Sequence, residues 1–75
     1  MRMSVNEPIT FKLTEDYIEL IKLLKFVGAC QTGGQAKLAV ENGQVTVDGE
    51  VESRKRRKLR SGMRVAIEGQ IINVE

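Results

Sequence analysis

The spacing of apolar residues changes once along the chain and divides it into a helical part and a strand-forming part. Between residues 17 and 27 apolar side chains recur every three or four positions, which predicts an amphipathic helix that ends near Gly28. Thr14 is the predicted N-cap of this helix. Glu15 and Asp16 would then lie in its first turn, where the helix dipole favours negative charge.

A second, shorter helix is predicted soon after the first. Thr32 and Gln35 have the spacing of a capping box, so this helix should begin near Gly33, and Asn42-Gly43 should end it. A helix of about nine residues is not stable alone and must pack against the first helix. Its expected inner face consists of Ala36, Ala39 and Val40.

Two hairpins are predicted in the strand-forming part. Val45 and Val47 alternate with polar residues and lead into Asp48-Gly49, a strong turn signal. A two-residue turn would place Val51 on the face opposite the two valines, whereas a three-residue turn would place it beside them; we favour the longer loop. A second tight turn at Gly69-Gln70 would bring four apolar residues to one face: Val65, Ile67, Ile72 and Val74.

The predicted order of elements defines the fold class. The alternation from Ile9 to Leu13 predicts a short strand within an N-terminal extension of residues 1–13, and residues 14–75 should form one domain. We expect an α+β fold in which two short packed helices precede a small, mostly antiparallel sheet of about four to five strands.

Positive charge is concentrated in one stretch of the sequence. Residues 53–64 contain seven Lys or Arg and no acidic residue, although the whole chain has 12 basic and 10 acidic residues. Such a stretch points to a polyanion, most often a nucleic acid. The alternative is a solvated loop or an edge strand, because edge strands commonly carry Lys.

The residues that are missing argue against an enzyme. The sequence has no His and a single Cys, Cys30, so no ordinary zinc site, Ser-His-Asp triad or Cys-His pair is expected. We expect no metal and no cofactor. No apolar run has the length of a membrane span, and the first residues lack the apolar stretch of a secretion signal, so a cytoplasmic protein is expected.

The combined pattern is similar to a known family. A helix ending in glycine precedes the short helix TGGQAKLAVENG; then come a hairpin of the form G-x-V-x-V-D-G-x-V, a basic stretch and S-G-M-R-V. This order resembles the RNA-binding domain named after small-subunit ribosomal protein S4, and among its members the small free-standing bacterial proteins. The resemblance covers roughly residues 16–75 and implies the S4-like fold and RNA binding. Lys37 matches a position that is often basic in the family.

The candidate RNA-binding surface has two parts. If residues 54–58 are extended, alternate side chains share a face: Arg54, Arg56 and Lys58 on one side, Lys55 and Arg57 on the other. The start of the second helix adds free N–H groups for a phosphate at Gly33-Gly34; Thr32 and Gln35 either contact RNA or only cap the helix. The candidate RNA-binding residues are Thr32, Gly33, Gly34, Gln35, Lys37, Arg54, Lys55, Arg56, Arg57, Lys58 and Arg60.

The functional hypothesis is a non-catalytic, monomeric protein that binds structured RNA, such as rRNA or tRNA. The sequence has three aromatic residues, and we expect Tyr17 and Phe26 to lie in the core, so base stacking has little support. An alternative is a ribosome-associated or assembly factor whose specificity comes from protein contacts. DNA binding is disfavoured because no helix carries several base-reading side chains.

Overall fold

The structure is a computed structural model that describes residues 7–75. Within this range two helices and seven strands confirm the expected α+β fold. The elements follow in the order β1 (Ile9–Phe11), β2 (Ile18–Glu19), α1 (Leu20–Phe26), α2 (Gly33–Glu41), β3 (Val45–Val47), β4 (Glu50–Val51), β5 (Lys58–Leu59), β6 (Arg64–Ile67) and β7 (Gln70–Val74).

Five of the strands form one sheet in the order β1-β7-β6-β3-β4. Neighbouring strands are antiparallel except β1 and β7, which run parallel with Ile9 opposite Ile72. β2 and β5 form a separate antiparallel ribbon, in which Ile18 lies opposite Leu59. The strand predicted from Ile9 to Leu13 is present in the shorter form Ile9–Phe11, and residues 1–6 of the predicted extension lie outside the described residues.

The first hairpin corrects the predicted loop length. Val47 pairs with Glu50, so Asp48 and Gly49 alone form the turn, with φ angles of 51° and 88°. A two-residue turn with positive φ at both positions matches the right-handed twist of the strands, and the three-residue loop was therefore wrong. As a consequence Val51 points away from the core and is 63% exposed.

The second hairpin turn lies one residue earlier than predicted. Ile67 pairs with Gln70, so the turn consists of Glu68-Gly69, with φ angles of 48° and 82°. The predicted turn at Gly69-Gln70 was therefore wrong. The shift moves the strand pairing by two residues, which leaves every side chain on the same face. The four residues expected on one face are all buried: Val65, Ile67, Ile72 and Val74.

Helix α1 begins at Leu20, well after the predicted N-cap Thr14. Glu19 occupies the N-cap position without a side-chain capping hydrogen bond, and no acidic residue lies in the first turn. The first two N–H groups of the helix instead donate to the carbonyls of Arg57 and Lys55, at 2.9 and 3.1 Å. The early start was wrong because Glu19 is still extended and paired within the β2–β5 ribbon.

Helix α2 confirms the predicted start, the N-cap Thr32 and the end, but only half of the capping box, because Gln35 Oε1 accepts the N–H of Gln31 and not that of Thr32. The N–H of Gln35 donates to the Thr32 hydroxyl at 3.1 Å, and Gly43 follows the helix with a φ of 75°. The predicted inner face, Ala36, Ala39 and Val40, is buried, and α2 packs against α1. Neither helix of residues 7–75 is long and apolar enough to cross a membrane.

The hydrophobic core joins the inner faces of both helices to one face of the sheet. Two residues expected there lie outside it, since Tyr17 is 38% and Phe26 is 73% exposed. Tyr17 precedes α1 rather than lying on its inner face. Phe26 lies away from the side of α1 that buries Leu20, Leu23 and Leu24.

Candidate nucleic-acid interface

The basic loop (residues 54–60) is fixed to the domain through its backbone. The N–H of Arg57 donates to the carbonyl of Arg54 at 3.1 Å and closes a tight turn, after which β5 pairs with β2. Leu59 is fully buried and anchors the end of the loop in the core. Together with the two carbonyls that cap α1, these contacts hold the loop across the first turn of that helix.

Four of the cations line one shallow groove of about 520 Å³: Arg54, Arg56, Arg57 and Lys58. This corrects the expected arrangement on two faces, which placed Arg57 opposite the other three. The prediction was wrong because residues 54–57 form a turn and not an extended strand. A turn directs side chains that would alternate in a strand toward a common side.

A nearly buried carboxylate, Glu52, organises the start of the loop; it is only 6% exposed. It accepts hydrogen bonds from the backbone N–H and Nε of Arg54, both at 2.9 Å, and from its Nη2 at 3.1 Å. Nη1 of Arg57 donates at 2.7 Å to Oε1 of Glu52, the oxygen that also accepts from Arg54 Nη2. The hydrogen bonds from Arg54 and Arg57 lower the pKa of Glu52 from 4.5 to about 2, although burial acts to raise it.

A second carboxylate and an aromatic ring hold three more of the cations. Arg56 Nη2 lies 3.3 Å from Glu19 Oε2. Lys58 Nζ lies 4.9 Å and Arg60 Cζ 5.6 Å from the centroid of the Tyr17 ring. Both distances fall within the range of a cation–π interaction. Within residues 7–75, five of the six cations of the basic loop therefore have a side-chain contact that restricts their positions.

The arrangement leaves hydrogen-bond donors available for an anion. A guanidinium has five N–H donors, and Arg54 and Arg57 use only some of theirs on Glu52. Lys55 forms no ion pair within residues 7–75. Several ordered cations around an open groove suit the oxygens of a phosphate backbone.

The start of α2 forms the other predicted part. Gln35 Oε1 accepts the N–H of Gln31 at 2.8 Å, so this side chain takes part in the helix cap. A Cβ at Gly33 would meet nothing within 4 Å, so the backbone there is open, and Lys37 is exposed. The basic loop contacts the first turn of α1, whereas α2 follows its last turn. Within residues 7–75 no ion pair joins the two parts, and Gly33, Gly34 and Lys37 do not line the groove of the basic loop.

Comparison with known proteins decides the family, since residues 11–75 match the S4 domain. The chain belongs to the S4 domain family. This S4 domain is similar to the Escherichia coli (strain K12) protein named "Putative RNA-binding protein YbcJ", with 46% identity over 66 residues, 87% of this chain and 94% of that protein. YbcJ of Shigella flexneri gives the same identity and coverage.

A solved structure shows the same architecture. The solution structure of YbcJ from Escherichia coli matches this S4 domain with a TM-score of 0.72 and 41% identity, over 99% of this chain and 95% of that chain. It is described as revealing a motif involved in RNA binding.

Sequence reasoning missed three residues that shape the interface: Glu19, Glu52 and Tyr17. A carboxylate two residues before six clustered cations was a usable signal for Glu52. No local signal indicated Glu19 or Tyr17, because their contacts depend on the pairing of β2 with β5, two short strands about 40 residues apart.

Proposed function

We propose that this S4 domain is a non-catalytic RNA-binding protein that recognises structured RNA, rRNA or tRNA, through the basic loop. The observation that carries the proposal is the groove formed by four ordered cations, Arg54, Arg56, Arg57 and Lys58. The similarity to the Escherichia coli protein named "Putative RNA-binding protein YbcJ", whose solution structure reveals a motif involved in RNA binding, supports it.

Structured RNA fits this surface better than a single strand. Binding to single strands relies on aromatic side chains that stack on successive bases, and the one ring beside the basic loop, Tyr17, already contacts Lys58 and Arg60. A set of cations held by ion pairs and ring contacts instead binds phosphates at particular positions, which a folded RNA fixes in space.

The charge of the loop sets the expected salt dependence. Its six cations, offset by Glu52 and Glu19, leave a net charge of about +4. Neutralising about four phosphates corresponds to a slope of log K against log salt of about −3 to −4.

The experiment is fluorescence anisotropy of the full chain with a structured RNA hairpin and a DNA duplex of matched length, each titrated across a salt series. The test variant is K55Q/K58Q/R60Q, because these cations form no ion pair within residues 7–75 and their loss leaves neither carboxylate unpaired. A matched control, K12Q/K25Q/R64Q, removes the same charge from exposed positions outside the loop.

We expect a preference for RNA, and a slope that becomes less steep by about two to three in the test variant. The control should keep nearly the wild-type slope. Equal binding to RNA and DNA, or equal losses in the two variants, would show that net charge and not the basic loop governs binding.

A further inference from the structure

All three aromatic residues of the sequence, Phe11, Tyr17 and Phe26, line one open groove of about 510 Å³. The groove lies between the segment of residues 11–19 and the outer side of α1. The rings of Phe11 and Phe26 meet edge to face, with centroids 5.1 Å apart and an interplanar angle of 82°. Phe26 is nevertheless 73% exposed, so the pair leaves apolar surface open to solvent.

The charge around this aromatic groove is opposite to that of the basic loop. Glu15, Asp16 and Glu19 line it, and Lys22 is the one cation among its lining residues. Glu15 and Asp16 are exposed and form no ion pair within residues 7–75. A phosphate backbone would be repelled here, whereas a cationic side chain would be attracted by the carboxylates of Glu15 and Asp16, unpaired within residues 7–75.

We infer that the aromatic groove binds a short segment of a partner protein in which an apolar side chain lies next to Arg or Lys. The apolar side chain would cover Phe11 and Phe26, and the cation would lie against Glu15 and Asp16. The volume falls within the range of ligand sites, about 300–1,000 Å³, and the exposed lining suits an extended peptide.

The groove and the basic loop share a boundary. Glu19 lines the groove and also pairs with Arg56, and Tyr17 lines it while contacting Lys58. A partner segment in the groove would therefore lie directly beside an RNA on the basic loop. This gives a physical location to the alternative in which protein contacts supply specificity within a ribonucleoprotein.

The test uses the full chain, labelled with ¹⁵N, and the peptide Gly-Arg-Leu-Phe-Lys-Gly as the probe. Two comparison peptides, Gly-Arg-Ser-Ser-Lys-Gly and Gly-Glu-Leu-Phe-Glu-Gly, lack the apolar pair or the positive charge. We expect saturable chemical-shift changes confined to residues 11–26 with a Kd below about 1 mM. Each comparison peptide should bind at least roughly tenfold more weakly.

Variants distinguish peptide binding in the groove from non-specific electrostatic attraction. F26A and the double variant E15K/D16K should each lower the affinity for the probe peptide at least roughly tenfold. The matched controls are L38A, another exposed apolar residue, and E41K, an exposed carboxylate on α2; both lie outside the groove and should leave probe binding unchanged. F26A should leave RNA affinity unchanged. A lack of RNA binding by the wild-type protein and a lack of peptide binding in the groove can therefore be told apart.

Three results of the peptide titrations would overturn the inference. They are the absence of saturable shifts at about 1 mM probe, shifts centred on the basic loop, and equal affinity for the cation-only peptide. Concentration-dependent dimerisation that F26A abolishes would also overturn it, because the groove would then be covered by a second copy of the chain.

Discussion

Replacing Glu52 with Gln tests whether RNA binding depends more on the charge of the basic loop or on the fixed positions of its arginine side chains. The substitution keeps the shape of the side chain but removes the carboxylate that accepts hydrogen bonds from Arg54 and Arg57. It also makes the surface proposed to bind RNA more positive by one charge. Charge alone would therefore raise RNA affinity, whereas loss of order would lower it.

The effect of Glu52→Gln on stability follows from the pKa of Glu52, which folding lowers from 4.5 to about 2. Such a change corresponds to about 3 kcal/mol at neutral pH, and screening around the exposed Arg54 reduces the expected loss in unfolding free energy to about 1–2 kcal/mol. A lowered pKa stabilises the fold fully above pH 4.5, and this stabilisation is lost as the pH falls toward 2. In urea denaturation the unfolding free energy of the variant should thus be lower than that of wild type at pH 7, and the two values should become similar near pH 2.

The effect on RNA binding is the balance of two opposite terms. Immobilising a freed Arg on the RNA costs about 0.5–1.5 kcal/mol per side chain, and two are freed. One extra positive charge about 7 Å from a phosphate, interacting through water, adds only about 0.6 kcal/mol of attraction. Salt reduces this attraction further. We expect RNA binding to weaken by about fivefold in anisotropy, with a difference that persists at high salt.

The matched control is Glu50→Gln, which removes an exposed carboxylate two residues away that forms no ion pair within residues 7–75. It should leave stability and RNA affinity close to wild type. Tighter RNA binding by Glu52→Gln than by this control at every salt concentration would refute the role of Glu52 in ordering the loop.

Substitutions at four further positions test the ring contact, the helix cap and the strand register. Tyr17→Phe should keep RNA affinity in anisotropy, whereas Tyr17→Leu should weaken it by about two- to fivefold through loss of the cation–π contacts. Thr32→Ala should lower the unfolding free energy in urea by about 1 kcal/mol, since an N-terminal N–H of α2 loses its acceptor. Val51→Thr should change stability by less than about 0.5 kcal/mol and Val47→Thr by about 1–2 kcal/mol; equal losses would contradict the register.

The sequence was sufficient for features that depend on neighbouring residues. The cap at Thr32 and the buried face of α2 follow from spacing within one helix. The buried faces of the β6–β7 hairpin survived an error in the turn, because a shift of two residues preserves the side to which each side chain points. Local chemistry thus predicted the fold class and most of the core.

The features that failed have both local and long-range causes. Both hairpin turns were misplaced locally, at Asp48-Gly49 and Glu68-Gly69. The start of α1 was wrong because carbonyls of Lys55 and Arg57, more than 30 residues away, replace a side-chain cap. The two-face arrangement of the basic loop was wrong because a turn, together with the hydrogen bonds to Glu52, sets the positions of its cations. Charge count located the candidate interface, but its geometry required the tertiary structure.

The pairing of β1 with β7 has a consequence for biosynthesis. Ile9 lies opposite Ile72, and the N–H of Glu75 donates to the carbonyl of Phe11 at 2.8 Å. At about 5–20 residues per second, the ribosome needs roughly 3–12 s to make the intervening stretch of about 60 residues. During that time β1 has no partner strand, so the sheet of a nascent chain is completed only after the segment that forms β7 leaves the exit tunnel.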